Sequence, residues 1–427
     1  MKWIVEPSRI SGIVQIPGSK SHTIRAVVIA SLAEGRSEIF HPLDSLDTRS
    51  AVSACQALGA RITCSENCWS VEGTAGAPSV PDNVIDVGNS GTTLRTTLGI
   101  AALAEGYSVF TGDAQIRSRP IGALVRSLCD LGAHAFTTRG GETAPVVVGG
   151  RMQGGETSIE CRTSQYLTSL LINCPIAEIP STIHVPLLNE KPYVEMTLWW
   201  LDRCGIRVER EEFDHFAIPG GQRYPAFSLT IPADFSSATF FLVAAAITGG
   251  PVTLQGLDMS DTQGDKAVIA MLKEMGAQVR HHEGGVTIEG GNLEGREFDL
   301  NATPDALPAM AVAGACATGE TRLVNVPQAR LKETDRIRVM YEELTKMGAR
   351  VEELPDGLVI HGSALHGAVV DGRHDHRVVM ALSVAGLAAK GATEIETAES
   401  AAVTFPNYLE LMQTLGARVS PSDIRQV

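Results

Sequence analysis

Apolar residues recur along this chain in two rhythms. Stretches such as AVIAMLKEMG (267–276) and IRVMYEELTKMG (337–348) space them three and four positions apart, the pattern of one helix face. Each stretch ends in Gly and passes into alternating apolar and polar residues, the rhythm of a strand. The junction is a recurring phrase: LGARI at Gly59, LGAHA at Gly132, CGIRV at Gly205, MGAQV at Gly276, MGARV at Gly348 and LGARV at Gly416. Six phrases spaced about 70 residues apart mark a duplicated unit rather than chance helix ends. At each one the spacing predicts a helix closed by a left-handed Gly and followed by a strand. Several units then run through a Gly-rich turn into a further strand, as in GGVTIEGG.

At 427 residues the chain is too long for one core, so six α/β repeats divide most simply into three plus three. The segment IPADFSSATFFLVAAAITGG opens a strongly helical fourth repeat, which puts the crossover between domains near residue 231.

Composition narrows the class. With 44% hydrophobic and 20% charged residues the chain is an ordinary globular protein. The opening MKWIVEPSRI has no apolar run of signal-peptide length, and no stretch approaches membrane-spanning length. These features predict a soluble, cytoplasmic protein. Eight scattered cysteines, without zinc-like spacing, read as reduced thiols, many of them in the core, and no metal is predicted. A net charge of −14 argues against a nucleic-acid partner. Any anion must therefore be drawn by a local cluster of Lys and Arg.

Such clusters stand at predicted helix starts, where unpaired backbone N–H groups and the helix dipole favour negative charge. PGSKSHTIR carries Ser19, Lys20, Ser21 and Arg25. GNSGTTLR carries Asn89, Gly91, Thr92 and Arg95, its two glycines allowing close approach of a ligand. QIRSRPIGALV has Arg117 and Arg119 before Pro120, which suits the first turn of a helix. TSQYLTSLL offers Thr163, Ser164 and Gln165. RLKETDRIRV packs Lys332, Glu333, Asp335 and Arg336, and DHRVVMAL sets Asp375, His376 and Arg377 ahead of an apolar helix. Singly, each is equally the solvated start of a capped helix; gathered into one cleft, they would make a cationic pocket in an acidic protein.

In this order the segments PGSKSHTIR, GNSGTTLR, RPIG, TSQYLTSLL, KPYVEMT, DFSSATFF, PDALPAMAVA, LKETDR, DHRVVMA and TFPNY resemble the EPSP synthase family of enolpyruvyl transferases, across essentially the whole chain. The resemblance implies a two-domain inside-out α/β barrel of six βαβαββ repeats, residues 1–14 with 232–427 as one domain and 15–231 as the other, with substrates held in the interdomain cleft. It implies transfer of the enolpyruvyl group of phosphoenolpyruvate to the 5-hydroxyl of shikimate 3-phosphate by a monomer without cofactor. The catalytic set would be Lys20, Asp305, Glu333 and His376. Asp305 would take the acceptor's proton, and Glu333 with Lys20 would handle the proton on the vinyl carbon. Lys20, Asn89, Gly91, Thr92, Arg119, Gln165, Arg336 and Arg377 would hold phosphoenolpyruvate. Ser21, Arg25, Thr163, Ser164, Gln165, Asp305, Gln328 and Lys332 would hold shikimate 3-phosphate.

Two positions depart from the family. Val403 stands before TFPNY where a Lys reaches phosphoenolpyruvate, and Glu190 stands in LNEKPYVEMT where a Ser binds the acceptor's phosphate. Arg162 is the residue that could offset Glu190. These departures leave a second reading, a sibling enzyme acting on a different cyclic acceptor. A UDP-N-acetylglucosamine enolpyruvyl transferase fits less well, because TGDAQIRSR (111–119) lacks that family's Cys, and a non-catalytic binding protein would leave the retained charges unexplained.

Overall fold

The helices of this chain fall into two kinds, and the difference decides the architecture. Phe235–Thr248, Leu307–Cys316 and His376–Ala388 are apolar all round and buried on nearly every side. Arg336–Lys346 instead buries Ile337, Val339, Met340 and Leu344 and turns Arg338 and Glu342 outward as an i,i+4 ion pair. A helix that is apolar all round has to lie inside, so the sheets are left to form the outer wall.

The computed structural model describes residues 1–422 and divides into two compact units, Met1–Pro17 with the chain from Pro232 onward, and Gly18–Ile231. Each unit contains three four-stranded sheets. In the fifth repeat Glu297–Asp299 runs parallel to Glu320–Val324, which pairs antiparallel with Gly357–His361, itself in a hairpin with Arg350–Leu354. One buried helix, Leu307–Cys316, links the parallel strands, and the amphipathic Arg336–Lys346 leads to the hairpin. The same βαβαββ order recurs in all six sheets.

Two repeats borrow strands from the start of the chain. Gly12–Gln15 pairs parallel with Val252–Gln255, and Lys2–Glu6 lies between Thr393–Glu396 and Arg418–Ser422. The Gly18–Ile231 unit closes likewise, Ser228–Thr230 joining Arg36–Phe40. The first described residues and the end of the Gly18–Ile231 unit are thereby tied into sheets.

The first unit's three buried helices pack pairwise at its centre, where Phe240, Phe241, Phe405 and Tyr408 make edge-on or tilted ring contacts 5.5 to 6.3 Å apart. Each such ring contributes roughly 1.5 to 3 kcal/mol by leaving water. In the other unit Lys20–Leu32 packs on Gly91–Ala101, and that helix on Ser164–Asn173.

All six repeat glycines have positive φ, from 69° at Gly205 to 116° at Gly276, as the helix-ending phrase requires. One local expectation is corrected. Pro120 does not open a helix; the helix starts at Gly122, because the N–H groups of Ile121 and Gly122 both donate to the Glu142 carbonyl while Arg95 takes the Pro120 carbonyl. Among the described residues no helix is long and apolar enough to cross a membrane, and no group of three or more His, Cys, Asp or Glu could hold a metal. All eight cysteines are free, and burial pushes the thiols of Cys55, Cys161, Cys174 and Cys316 up to about 12.

The repeat glycines differ in what surrounds them, which gives a graded test. A methyl on Gly276 would lie 2.7 Å from the Asn292 carbonyl oxygen, whereas on Gly416 the nearest atom is the Arg9 carbonyl oxygen at 3.6 Å. Gly416→Ala should cost about 1 kcal/mol for the left-handed backbone alone, and Gly276→Ala at least ~2 kcal/mol. Both lie in one unit, so denaturant midpoints compare them directly; equal losses would contradict the packing.

Candidate functional site

The polar side chains singled out above gather at helix starts, in one group within each unit. The cause is local: every buried helix has an apolar body, so its first turn is the one stretch where unpaired N–H groups call for polar partners.

In the Gly18–Ile231 unit, Ser19 caps the helix that Lys20 begins. Lys20 Nζ lies 3.1 Å from Asp47 Oδ2, and both side chains are mostly buried. The backbone carbonyl of Asp47 in turn accepts from Thr93 Oγ1 at 3.5 Å. Ser90 caps the next helix, which opens with Gly91 and Thr92.

Gly91 is there because two guanidinium groups crowd it. A Cβ at this position would stand 2.6 Å from Arg95 Nη1 and 2.8 Å from Arg119 Nη1. Burial pulls the Arg95 pKa down; Tyr166 opposes this, and the neighbouring charge of Arg119 adds to it. Arg95 also donates to Gln165 Oε1 at 2.7 Å, and Gln165 Nε2 donates to Thr92 Oγ1 at 3.1 Å. Asn89 holds the approach loop by donating to Asp113 Oδ2 at 2.6 Å and Gln115 Oε1 at 2.5 Å.

Thr163 caps the third helix, which begins at Ser164. Both residues donate to Glu190, whose carboxylate is buried between them. A continuous run of contacts thus joins Lys20, Asp47, Gly91, Arg95, Arg119, Gln165, Thr163 and Ser164.

Arg25 is placed differently from its neighbours in sequence. Its guanidinium, 2% exposed, donates to Thr197 Oγ1, Thr168 Oγ1, the Tyr193 carbonyl and the Ser21 carbonyl, stitching three helices together. Burial draws its pKa down to about 10, against the opposing pull of Tyr193 and Glu190. Ser21 adjoins this network through its backbone. Arg162 is exposed, with Nη2 3.8 Å from Glu160, and so does not offset Glu190.

In the other unit the centre is Arg336, 1% exposed. Its Nε and Nη2 donate to the two oxygens of Asp375 at 2.8 and 3.1 Å, Nη2 also to Glu333 at 2.6 Å, and Nη1 to Asp305 at 2.8 Å. Burial alone would lower the Arg336 pKa, yet the carboxylates of Asp375, Glu333 and Asp305 raise it overall, so the group is locked in its charged form. Burial likewise acts to raise Asp375, but Arg336 holds its pKa below the usual range.

Asp305 is shared further. Its Oδ2 is 3.1 Å from Arg377 Nη2 and its Oδ1 3.8 Å from Lys332 Nζ. Arg377 also donates to Ser236 Oγ at 3.0 Å, while Asp234 caps the helix of Ser236. Asp375 caps the helix that His376 and Arg377 begin, and Thr334 Oγ1 donates to Asp375 at 3.0 Å. Gln328 lies just outside this knot. It is buried, its Nε2 donates to the Asn301 carbonyl, and its Oε1 has no hydrogen-bond partner among the described residues. Val403 ends a 3-10 turn, where it offers no charge.

Two of these partners escape a reading of sequence alone. Asp47 and Ser236 each fix a charged group, Lys20 and Arg377, by a contact distant in the chain. Their signal was present only as membership of the DFSSATFF segment for Ser236 and as an N-terminal helical Asp for Asp47.

Comparison with known proteins gives one answer. The profile of the EPSP synthase (3-phosphoshikimate 1-carboxyvinyltransferase) family matches residues 4–412. A 3-phosphoshikimate 1-carboxyvinyltransferase of Ruminiclostridium cellulolyticum is 56% identical over 415 residues, 97% of this chain and 98% of its own. That of Acetivibrio thermocellus is 57% identical over 416 residues, again 97% of this chain and 98% of its own. That of the archaeon Methanocella arvoryzae is 48% identical over 419 residues, 97% of this chain and 99% of its own. The solved EPSP synthase of Acinetobacter baumannii superposes with a TM-score of 0.83 at 28% identity, covering 99% of this chain and all of that one. With six βαβαββ repeats, charged helix starts and relatives of full length, the chain belongs to the EPSP synthase family of transferases.

Proposed function

We propose that this enzyme transfers the enolpyruvyl group of phosphoenolpyruvate to the 5-hydroxyl of shikimate 3-phosphate, releasing inorganic phosphate. The observation that carries the reading is full-length likeness to enzymes named for that reaction, and the residue types it needs stand at helix starts. Several relatives named for the same acceptor favour it over a different cyclic acceptor. The enzyme would work as a cytoplasmic monomer on small anionic molecules, with no nucleic-acid or membrane partner.

The chemistry follows from the charges. Protonating the methylene carbon of phosphoenolpyruvate develops positive charge at the adjoining carbon. The acceptor oxygen attacks that carbon and loses its proton, and the tetrahedral adduct then gives up a proton from its new methyl group and expels phosphate, restoring the double bond. Lys20 and Glu333 handle the methylene proton, with His376 close by in sequence to the Arg377 clamp. Arg119, Arg336 and Arg377 hold the phosphate and carboxylate of phosphoenolpyruvate, beside Asn89, Gly91, Thr92 and Gln165. Thr163, Ser164 and Gln165 contact the acceptor, together with Ser21, Arg25, Gln328 and Lys332.

Asp305 removes the acceptor's proton. In the free chain it is paired with Arg336, Arg377 and Lys332, so a substrate anion that engages Arg377 and Lys332 competes with it for those cations.

Phosphate release from phosphoenolpyruvate is the direct assay. It should be strong with shikimate 3-phosphate and near background with unphosphorylated shikimate; equal signals would point to another acceptor. Asp305→Asn and Glu333→Gln should each lower kcat by about 100-fold or more, and rates within twofold of wild type would remove those residues from the mechanism. Gly91→Ala drives a methyl into the Arg95 and Arg119 guanidinium groups, so its KM for phosphoenolpyruvate should rise about tenfold or more, while an unchanged KM would show that this pair does not bind it.

A further inference from the structure

Glu190 is the residue that the reaction above leaves without a task. It lies between strand Ser181–Leu188 and helix Lys191–Arg203 with φ 62° and ψ 41°, a left-handed backbone that a Glu rarely adopts. Its side chain is nevertheless drawn inside, 2% exposed. A non-glycine residue in such a conformation persists only where its surroundings hold it, and functional sites are where such residues concentrate.

What holds it is a complete oxyanion cradle. One oxygen, Oε2, accepts from Ser164 Oγ at 2.7 Å, from the Ser164 backbone N–H at 3.0 Å and from Thr163 Oγ1 at 3.2 Å. These donors form the first turn of Ser164–Asn173, whose dipole adds to the attraction, and the Arg25 and Arg95 guanidinium groups feel the same carboxylate. Three convergent donors on one oxygen are what a phosphate oxygen would also accept.

The donors cannot serve two anions. Each hydroxyl carries a single hydrogen, and so does the backbone amide. A phosphate that takes Thr163 and Ser164 must first remove the Glu190 carboxylate, and one that approaches while the carboxylate stays meets a like charge at contact distance.

We propose that Glu190 is an internal stand-in for the acceptor's phosphate. Its carboxylate keeps the cradle filled and ordered in the substrate-free chain, and it leaves the three donors when a phosphate monoester arrives. Glu190 thereby sets how tightly, and how selectively over unphosphorylated analogues, the acceptor is held. The acceptor's identity rests on the functional reading above, but the competition between two anions does not.

Calorimetric titration of the full chain separates the two. Glu190→Ser empties the cradle, and Glu190→Gln keeps the size of the side chain while removing its charge. Both should bind inorganic phosphate and shikimate 3-phosphate at least about tenfold more tightly than wild type, the Ser variant more so, while affinity for shikimate changes less than about twofold. If either variant, shown to be folded by circular dichroism, binds both phosphates no more tightly than wild type, Glu190 is merely structural and the proposal fails. Lack of phosphate release by wild type with shikimate 3-phosphate would instead sink the functional reading, leaving the inorganic phosphate comparison to decide this one.

Discussion

The beginning of a buried helix is the interaction on which this structure depends. A helix enclosed by apolar neighbours satisfies its own backbone except at its ends, where four N–H groups remain unpaired. In this chain those ends are capped by Ser19, Ser90, Thr163, Asp234 and Asp375, with Lys20 and Arg377 in the first turn of two of them. The same polarity that solves a folding problem supplies a field that favours anions. An acidic protein with a net charge of −14 can thus bind anionic substrates, because the attraction is set up locally by geometry rather than by overall charge.

In the substrate-free chain that attraction is already occupied. Arg336 is saturated by Asp305, Glu333 and Asp375, Lys20 by Asp47, and the Thr163–Ser164 cradle by Glu190. Buried charges demand such partners, since removing one from a buried pair costs about 3 to 5 kcal/mol. Under the proposed function, binding is an exchange of anions, in which substrate replaces protein carboxylates on the same donors.

The repeat architecture could be read almost completely from the chain, because its signal is local and appears six times. The helix-ending glycines, the apolar helices and the alternating strands each need only nearest neighbours to be understood. The candidate site residues could also be picked out as polar types at helix starts. Their partners could not. Arg25 lies in a basic motif, yet its guanidinium donates to Thr168, the Tyr193 carbonyl and Thr197, more than a hundred positions away. Glu190 stands out in the sequence as a misplaced charge, while the hydrogen bonds that accommodate it come from a helix start 26 residues earlier. Pro120 obeys local preference less than the Glu142 carbonyl that fixes where the next helix begins. Long-range side-chain contacts decide these cases, and no periodicity in the sequence encodes them.

The central claim is the proposed role of helix-start cations, Arg119 and Arg377 among them, in holding phosphoenolpyruvate. Phosphorus-31 NMR titration of phosphoenolpyruvate, with shikimate 3-phosphate present, examines it most directly. Arg119→Met in one unit and Arg377→Met in the other should each weaken binding by tenfold or more relative to wild type, an effect of about 1.4 kcal/mol. Loss of binding in only one of the two variants would contradict the account.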